Sequence, residues 1–182
     1  MISGYPVEFP LRAFGRIAIV DDNPDDVFFC QHQLRRIGVT CPICTFGDGL
    51  EAMTFFRQAA AVEDRGLLPE ILFLDINMPG ATGFSVLCWV REQEFLKFVK
   101  VVILSGSGDP GDVSLAGELS ADAYVAKHPS PSKLAQLIAR IAPGLIPPDR
   151  GALNRAEPSR ILSETEPEAD PVHADDHRSR AA

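Results

Sequence analysis

The stretch Ile71-Leu72-Phe73-Leu74-Asp75-Ile76-Asn77-Met78-Pro79-Gly80 decides the fold. Four apolar residues run straight into one carboxylate, and Pro79-Gly80 then turns the chain. An unbroken apolar run of this length reads as a strand buried on both faces, as in a parallel sheet between helix layers. Asp75 then stands at the carboxyl end of a central strand, where open α/β sheets place their ligands. The plainer reading is an acid that caps the turn, and the other strand ends weigh against it.

The same pattern recurs on either side. Arg16 to Val20 is a short apolar strand that ends in Asp21-Asp22. Asn23 suits an N-cap, Pro24 the first helical position, and Asp25 and Asp26 the positive end of the helix dipole. Val27, Cys30, Leu34 and Ile37 form the buried stripe of that helix, and Gly38 ends it. Cys41 to Phe46 is the second strand, and a helix follows from Leu50 to Ala61. Val62 to Pro69 is a charged connection into the Asp75 strand. Gly83 to Glu94 is a helix, and Val101 to Leu104 is a fourth strand ending at Ser105. A weaker helix runs from Asp109-Pro110 to Leu119 with Gly117 inside it. Ala123 to Ala126 is a fifth strand ending at Lys127, and Ser130-Pro131 opens a last helix. Five strands alternating with five helices predict a doubly wound α/β fold with a five-stranded parallel sheet.

Composition narrows the function. The chain has 182 residues and a formal net charge of −8, which argues against non-specific binding to nucleic acid or anionic membranes. No apolar run reaches membrane-span length, and Met1 to Phe14 carries no secretory pattern, so a cytoplasmic protein is expected. Residues 1–15 read as a leader and 16–142 as the folded domain. From Pro143 to Ala182 there are six prolines, eight acids and no Phe, Tyr or Trp, which predicts a disordered tail. Cys41-Pro42-Ile43-Cys44 has CxxC spacing, but no second Cys or His pair stands at finger spacing, so we assign it no metal.

The strand ends carry the chemistry. Asp21, Asp22, Asp75, Ser105 and Lys127 all fall on one edge of the sheet. Three crowded carboxylates repel unless a cation sits among them. A hard divalent ion resolves this, and Mg²⁺ suits a site with few protein ligands. Lys127 and Ser105 facing such a cluster would neutralise and hydrogen-bond a phosphoryl group. Asp75 is then a nucleophile able to form an acyl phosphate.

These residues, with Leu74-Asp75-Ile76-Asn77-Met78-Pro79-Gly80 and Tyr124-Val125-Ala126-Lys127, resemble the receiver domain of two-component response regulators, a flavodoxin-like (βα)5 fold. The resemblance covers about Arg16 to Ala142. It implies a phosphorelay protein, not a metabolic enzyme, in which Asp75 takes a phosphoryl group from a histidine kinase. It implies Mg²⁺ held by Asp21, Asp22, Asp75 and the backbone carbonyl of Asn77. It makes Ser105 and Tyr124 the switch pair and Lys127 the phosphoryl-binding lysine. The Asn-Pro-Asp-Asp start looks most like small single-domain regulators, some of which pair with phytochrome-type kinases. His128 departs from the family, which usually places proline there. A cis Lys127–His128 bond would cost roughly 2.5–4 kcal/mol, so trans is expected. His128 itself reads as a solvent-exposed loop residue, with proton donation as the alternative.

The residues after Ala142 are too few and too polar for a DNA-binding module, so signalling is expected through the receiver surface. The resemblance places the signalling face at about residues 111–141, where a homodimer is expected, with docking of another protein as the alternative and with Glu118, Lys133 and Arg140 able to pair across a two-fold axis. Phe28 points away from the buried stripe of the first helix, and the resemblance, which implies kinase docking near that helix, makes it the candidate kinase contact. Two other functions use similar parts. A phosphatase of the haloacid dehalogenase type wants an acid two residues after Asp75, where Asn77 stands. A flavodoxin-like cofactor binder wants a Gly- and hydroxyl-rich loop where Asp21-Asp22-Asn23-Pro24 stands.

Overall fold

A computed structural model describes residues 17–61 and 68–146. The expected leader, most of the 62–69 connection and the tail from 147 onward lie outside the described residues. Five strands form one parallel sheet: β1 (Ile17–Val20), β2 (Ile43–Phe46), β3 (Ile71–Asp75), β4 (Lys100–Ser105) and β5 (Ala123–Ala126), in the order β2-β1-β3-β4-β5. Helices α1 (Pro24–Arg36), α2 (Gly49–Ala61), α3 (Gly83–Glu92), α4 (Pro110–Glu118) and α5 (Pro131–Ile141) connect them. The doubly wound α/β fold is therefore as the sequence predicts.

Alternation along each strand builds two cores. Ala18, Val20, Leu72, Leu74, Val101 and Ile103 face one way and pack under α2 and α3. Ile17, Ile19, Ile71, Phe73, Val102 and Leu104 face the other and pack under α1 and α5. β3 is buried at every residue, Asp75 included, which explains its lack of polar alternation. Parallel register pairs Val20 with Leu74 and Asp75 with Leu104, so the carboxyl ends of β1, β3 and β4 open on one edge. The order reverses between β1 and β3, the switch point where open α/β sheets form their crevice. At the opposite edge Asp122 accepts from Arg91 Nη2 (2.8 Å), Lys100 Nζ (3.0 Å) and the Val101 N–H (2.9 Å), and so ties β5 to β4.

Local signals start and stop the helices. Asn23 caps α1 by accepting from the Asp25 N–H at 2.9 Å, with Pro24 opening the helix. Gly38 ends it in the left-handed region at φ 98°, where the N–H of Val39 reaches back to the Leu34 carbonyl. Asp109 and Ser130 cap α4 and α5 in the same manner as Asn23. α4 buries only Ala116, in line with its glycines and its weak apolar pattern.

Several boundaries shift by a residue, and three differences matter more. β2 begins at Ile43, so Cys41 precedes the strand. α3 stops at Glu92, and a 3-10 turn spans Glu94–Leu96 with Leu96 buried. The folded unit also runs past Ala142. Pro143–Leu145 forms a 3-10 turn whose Leu145 packs into the α1/α5 core, because it presents an apolar side chain just where α5 ends.

Gly83 sets how closely α3 approaches the Asp75 turn. Its N–H donates to the Ile76 carbonyl at 3.0 Å, and a Cβ there would lie 2.1 Å from the Asp75 carbonyl oxygen. Backbone cannot yield as a side-chain tip does. Gly83→Ala is expected to destabilise the protein by about 2–3 kcal/mol, read from urea unfolding. An unfolding midpoint equal to wild type would show that this approach is not tight.

Candidate functional site

The site is assembled by chain ends that nothing local would bring together. β1 delivers Asp21 and Asp22, β3 delivers Asp75, and the residue after β5 is Lys127. Asp21 and Asp75 are both about 3% exposed, whereas Asp22 faces solvent. The Asp21 N–H continues the sheet ladder to the Phe46 carbonyl, and its Oδ1 accepts from the Asn23 N–H at 3.0 Å. Lys127 is aligned likewise, its N–H donating to the Ser105 carbonyl at 2.8 Å.

Lys127 Nζ lies 2.9 Å from Asp21 Oδ2 and 3.1 Å from Asp75 Oδ1. A third carboxylate, Asp26 Oδ2 on the first turn of α1, is nearer still at 2.7 Å. Burial pushes the Asp75 carboxyl above the ordinary carboxylate value, the Asp21 charge adds to this, and Lys127 pulls against both. Burial works to lower Lys127, but its bonds to Asp26, Asp21 and Asp75 outweigh it, and the ammonium is held above its usual range. Lys127, with help from His128, holds the Asp26 carboxyl below its usual value despite burial. Beneath the site, burial and the Asp21 charge push the Cys30 thiol up to about 12, so it stays protonated and unreactive.

Asp21, Asp22 and Asp75 each offer a carboxylate oxygen, and these atoms lie within 4.8 Å of one another. Among the described residues this is the one such group of His, Cys, Asp and Glu. An all-oxygen donor set with net negative charge fits a hard divalent cation. Asn77 lies two residues beyond Asp75 on the exposed turn. The CxxC pair belongs to no such group.

The remaining expected residues fall around this centre. Ser105 is fully buried at the end of β4, and its Oγ accepts from the Ser107 N–H at 3.1 Å. Tyr124 Oη donates to the Ser107 carbonyl at 3.0 Å, so the two expected switch residues share one loop. Phe28 is 70% exposed on α1, beside a groove lined by Asp22, Val27, Thr45 and Gly47. The Lys127–His128 bond is trans, as expected. His128 is half-exposed but not idle: Nε2 lies 2.8 Å from Asp26 Oδ1. Asp26 is the residue that sequence reasoning missed, because the helix dipole already accounts for an acid at that place.

The fold and this geometry agree with what the chain resembles. The family model for the response regulator receiver domain matches residues 17–139. Response regulator Rcp1 of Synechocystis sp. is 31% identical over 111 residues, covering 61% of this chain and 75% of Rcp1. A crystal structure of Mn²⁺-bound Rcp1 aligns with a TM-score of 0.59 at 28% identity, covering 72% of this chain and 97% of that one. Phosphorylated RcpA, a cyanobacterial phytochrome response regulator, gives 0.58 at 32% identity, covering 71% and 91%. The DNA-binding response regulator MtrA of Mycolicibacterium smegmatis is 33% identical over 159 residues, 87% of this chain, and the chain spans 60% of its length. No described helix is long and apolar enough to cross a membrane. The partner class that a receiver implies is a histidine kinase, and the phosphatase and cofactor-binder readings fall away. This chain belongs to the response regulator receiver domain family.

Proposed function

We propose that Asp75 is the phosphoacceptor, taking a phosphoryl group from the phosphohistidine of a histidine kinase. The observation that supports this is the placement of a buried carboxylate 3.1 Å from a lysine ammonium, at the end of the central strand, among other acids. One Asp75 oxygen attacks phosphorus, and the new O–P bond forms as the P–N bond to the donor imidazole breaks. The electron pair leaves with that ring nitrogen, which takes up a proton. Lys127 neutralises charge on the moving oxygens. Asp21, Asp22, Asp75 and the Asn77 carbonyl would hold Mg²⁺, which would supply positive charge beyond that of one lysine. Ser105 would turn its hydroxyl from the Ser107 N–H to a phosphoryl oxygen.

That turn carries the signal. Releasing the Ser107 N–H alters the same loop that holds the Tyr124 hydroxyl, so Tyr124 can move inward behind Ser105. The altered face is α4, β5 and α5. Val113 and Leu115 stand exposed on α4, and Lys133 and Arg140 border a groove beside Tyr124. We take this as the face of a homodimer strengthened by phosphorylation. Exposed ion pairs there contribute only about 0–1 kcal/mol each, so apolar burial must supply most of the affinity. Exposed Phe28, on the rim of the acidic site, is the proposed kinase contact. Similarity to RcpA supports a kinase of the phytochrome type, a cytoplasmic setting follows from that partner, and the acidic composition disfavours direct nucleic-acid binding.

Intact mass after incubation with acetyl phosphate and Mg²⁺ tests the acceptor. Wild type gains one labile phosphoryl group and Asp75→Asn gains none, since an amide is no nucleophile here. Uptake by Asp75→Asn at the wild-type rate would refute the assignment. In the same assay Phe28→Ser keeps the acetyl phosphate rate and slows only transfer from kinase; equal slowing with both donors removes Phe28 from the contact. Sedimentation with and without beryllofluoride and Mg²⁺ tests the dimer. Association should rise with beryllofluoride and fall in Lys133→Glu/Arg140→Glu, whereas a monomer in both states would exclude it.

A further inference from the structure

Lys127 has three carboxylate partners, and the shortest contact goes to the one outside the acidic trio. Asp26 Oδ2 is 2.7 Å from Lys127 Nζ, against 2.9 Å for Asp21 and 3.1 Å for Asp75. An ammonium has three N–H donors, so each carboxylate can take one. Asp26 spends its second oxygen on the next residue of the same loop, Oδ1 lying 2.8 Å from His128 Nε2. One side chain on the first turn of α1 thereby ties two consecutive residues that follow β5.

His128 bears the mark of this arrangement. Its backbone sits in the left-handed region at φ 57°, which a side chain with a Cβ enters only at a cost. Its ring meets Phe29 edge-on, with centroids 4.5 Å apart and planes at 70°. Both partners of the ring, Asp26 and Phe29, come from α1. The contacts to α1 oppose the backbone cost and fix the imidazole against Asp26. Asp26 is thus held on one side by His128 and holds Lys127 on the other.

A lysine stem is flexible, and an ammonium among several acids has alternative positions. We propose that Asp26, steadied by His128, is a positioning residue for phosphoryl transfer, anchoring Lys127 Nζ over the acceptor carboxylate. The proposal rests on Asp75 being the acceptor. With two N–H groups kept by Asp26 and Asp21, the third can pass from Asp75 to a phosphoryl oxygen without the lysine moving. A donor already in place costs no reorganisation during the reaction. Asp26 touches no reacting atom and acts only through Lys127.

Wild type, Asp26→Asn, His128→Ala and the double variant are compared as full chains with acetyl phosphate and Mg²⁺. The acyl–phosphate bond of the donor breaks, acetate leaves with the electron pair, and the phosphoryl group is counted on Asp75 by mass. Asp26→Asn keeps size but not charge and is expected to phosphorylate about tenfold more slowly, less than loss of a direct donor costs. His128→Ala slows about threefold, and in the Asp26→Asn background it adds nearly nothing, as residues acting through one route are non-additive. Thermal unfolding is recorded for all four: Asp26→Asn lowers the midpoint, since the ionised carboxylate stabilises the fold, but every variant stays folded at the assay temperature. Asp26→Asn at wild-type rate or faster would overturn the proposal, and so would slowing that tracks a loss of folded protein. Losses that multiply in the double variant would overturn the linkage through His128. Failure of wild type itself to gain phosphate would instead overturn the acceptor assignment beneath it.

Discussion

One ammonium set among more carboxylates than it can neutralise governs this structure. Lys127 faces Asp21, Asp26 and Asp75 within hydrogen-bond distance, and Asp22 completes the acidic trio beside it. Asp75 bears the result, its carboxyl pushed up by burial and by Asp21 against the pull of Lys127. Asp26 lies on the favourable side of the same balance, held down chiefly by Lys127. The two therefore act on stability in opposite senses. Asp26 stabilises the fold above its unfolded value, and that contribution is lost as pH falls through its lower folded value. Ionised Asp75 opposes folding at neutral pH, and acidification through its raised value relieves it.

The sheet makes this crowding unavoidable. Parallel strands in the order β2-β1-β3-β4-β5 bring the ends of β1, β3 and β4 to one edge, and burial on both faces of the sheet leaves polar side chains to collect at the strand ends. Gly83 lets α3 start against the Asp75 backbone, which closes the crevice on one side. On the other side, Asp26 and Phe29 of α1 meet His128. A site built from rigid strand ends and helix starts can tolerate electrostatic strain, since the two apolar cores hold the frame.

What could be read from the sequence follows from what is local. Apolar runs such as Ile71–Leu74 and Val101–Leu104 announce buried strands, and the residue after each run announces the site. Phe28 was legible as exposed because the stripe of α1 lies elsewhere. Asp26 was not legible, because a first-turn acid has a sufficient local explanation and its partner lies 101 residues away. The conformation of His128 was equally hidden, since nothing in Lys-His-Pro specifies a positive φ. Leu145 was lost to a polar, proline-rich composition that describes the segment on average and misses one apolar side chain beside α5.

The central claim is that Asp75 is kept charged against the preference of the fold, as its proposed role of nucleophile requires. Chemical unfolding of wild type and Asp75→Asn at neutral pH, with divalent cations chelated, measures this directly. The account predicts that Asp75→Asn is the more stable protein, because it removes a buried charge whose ionised form is disfavoured. An Asp75→Asn protein equal to or less stable than wild type would mean that Lys127 fully satisfies the carboxylate, and would contradict the account.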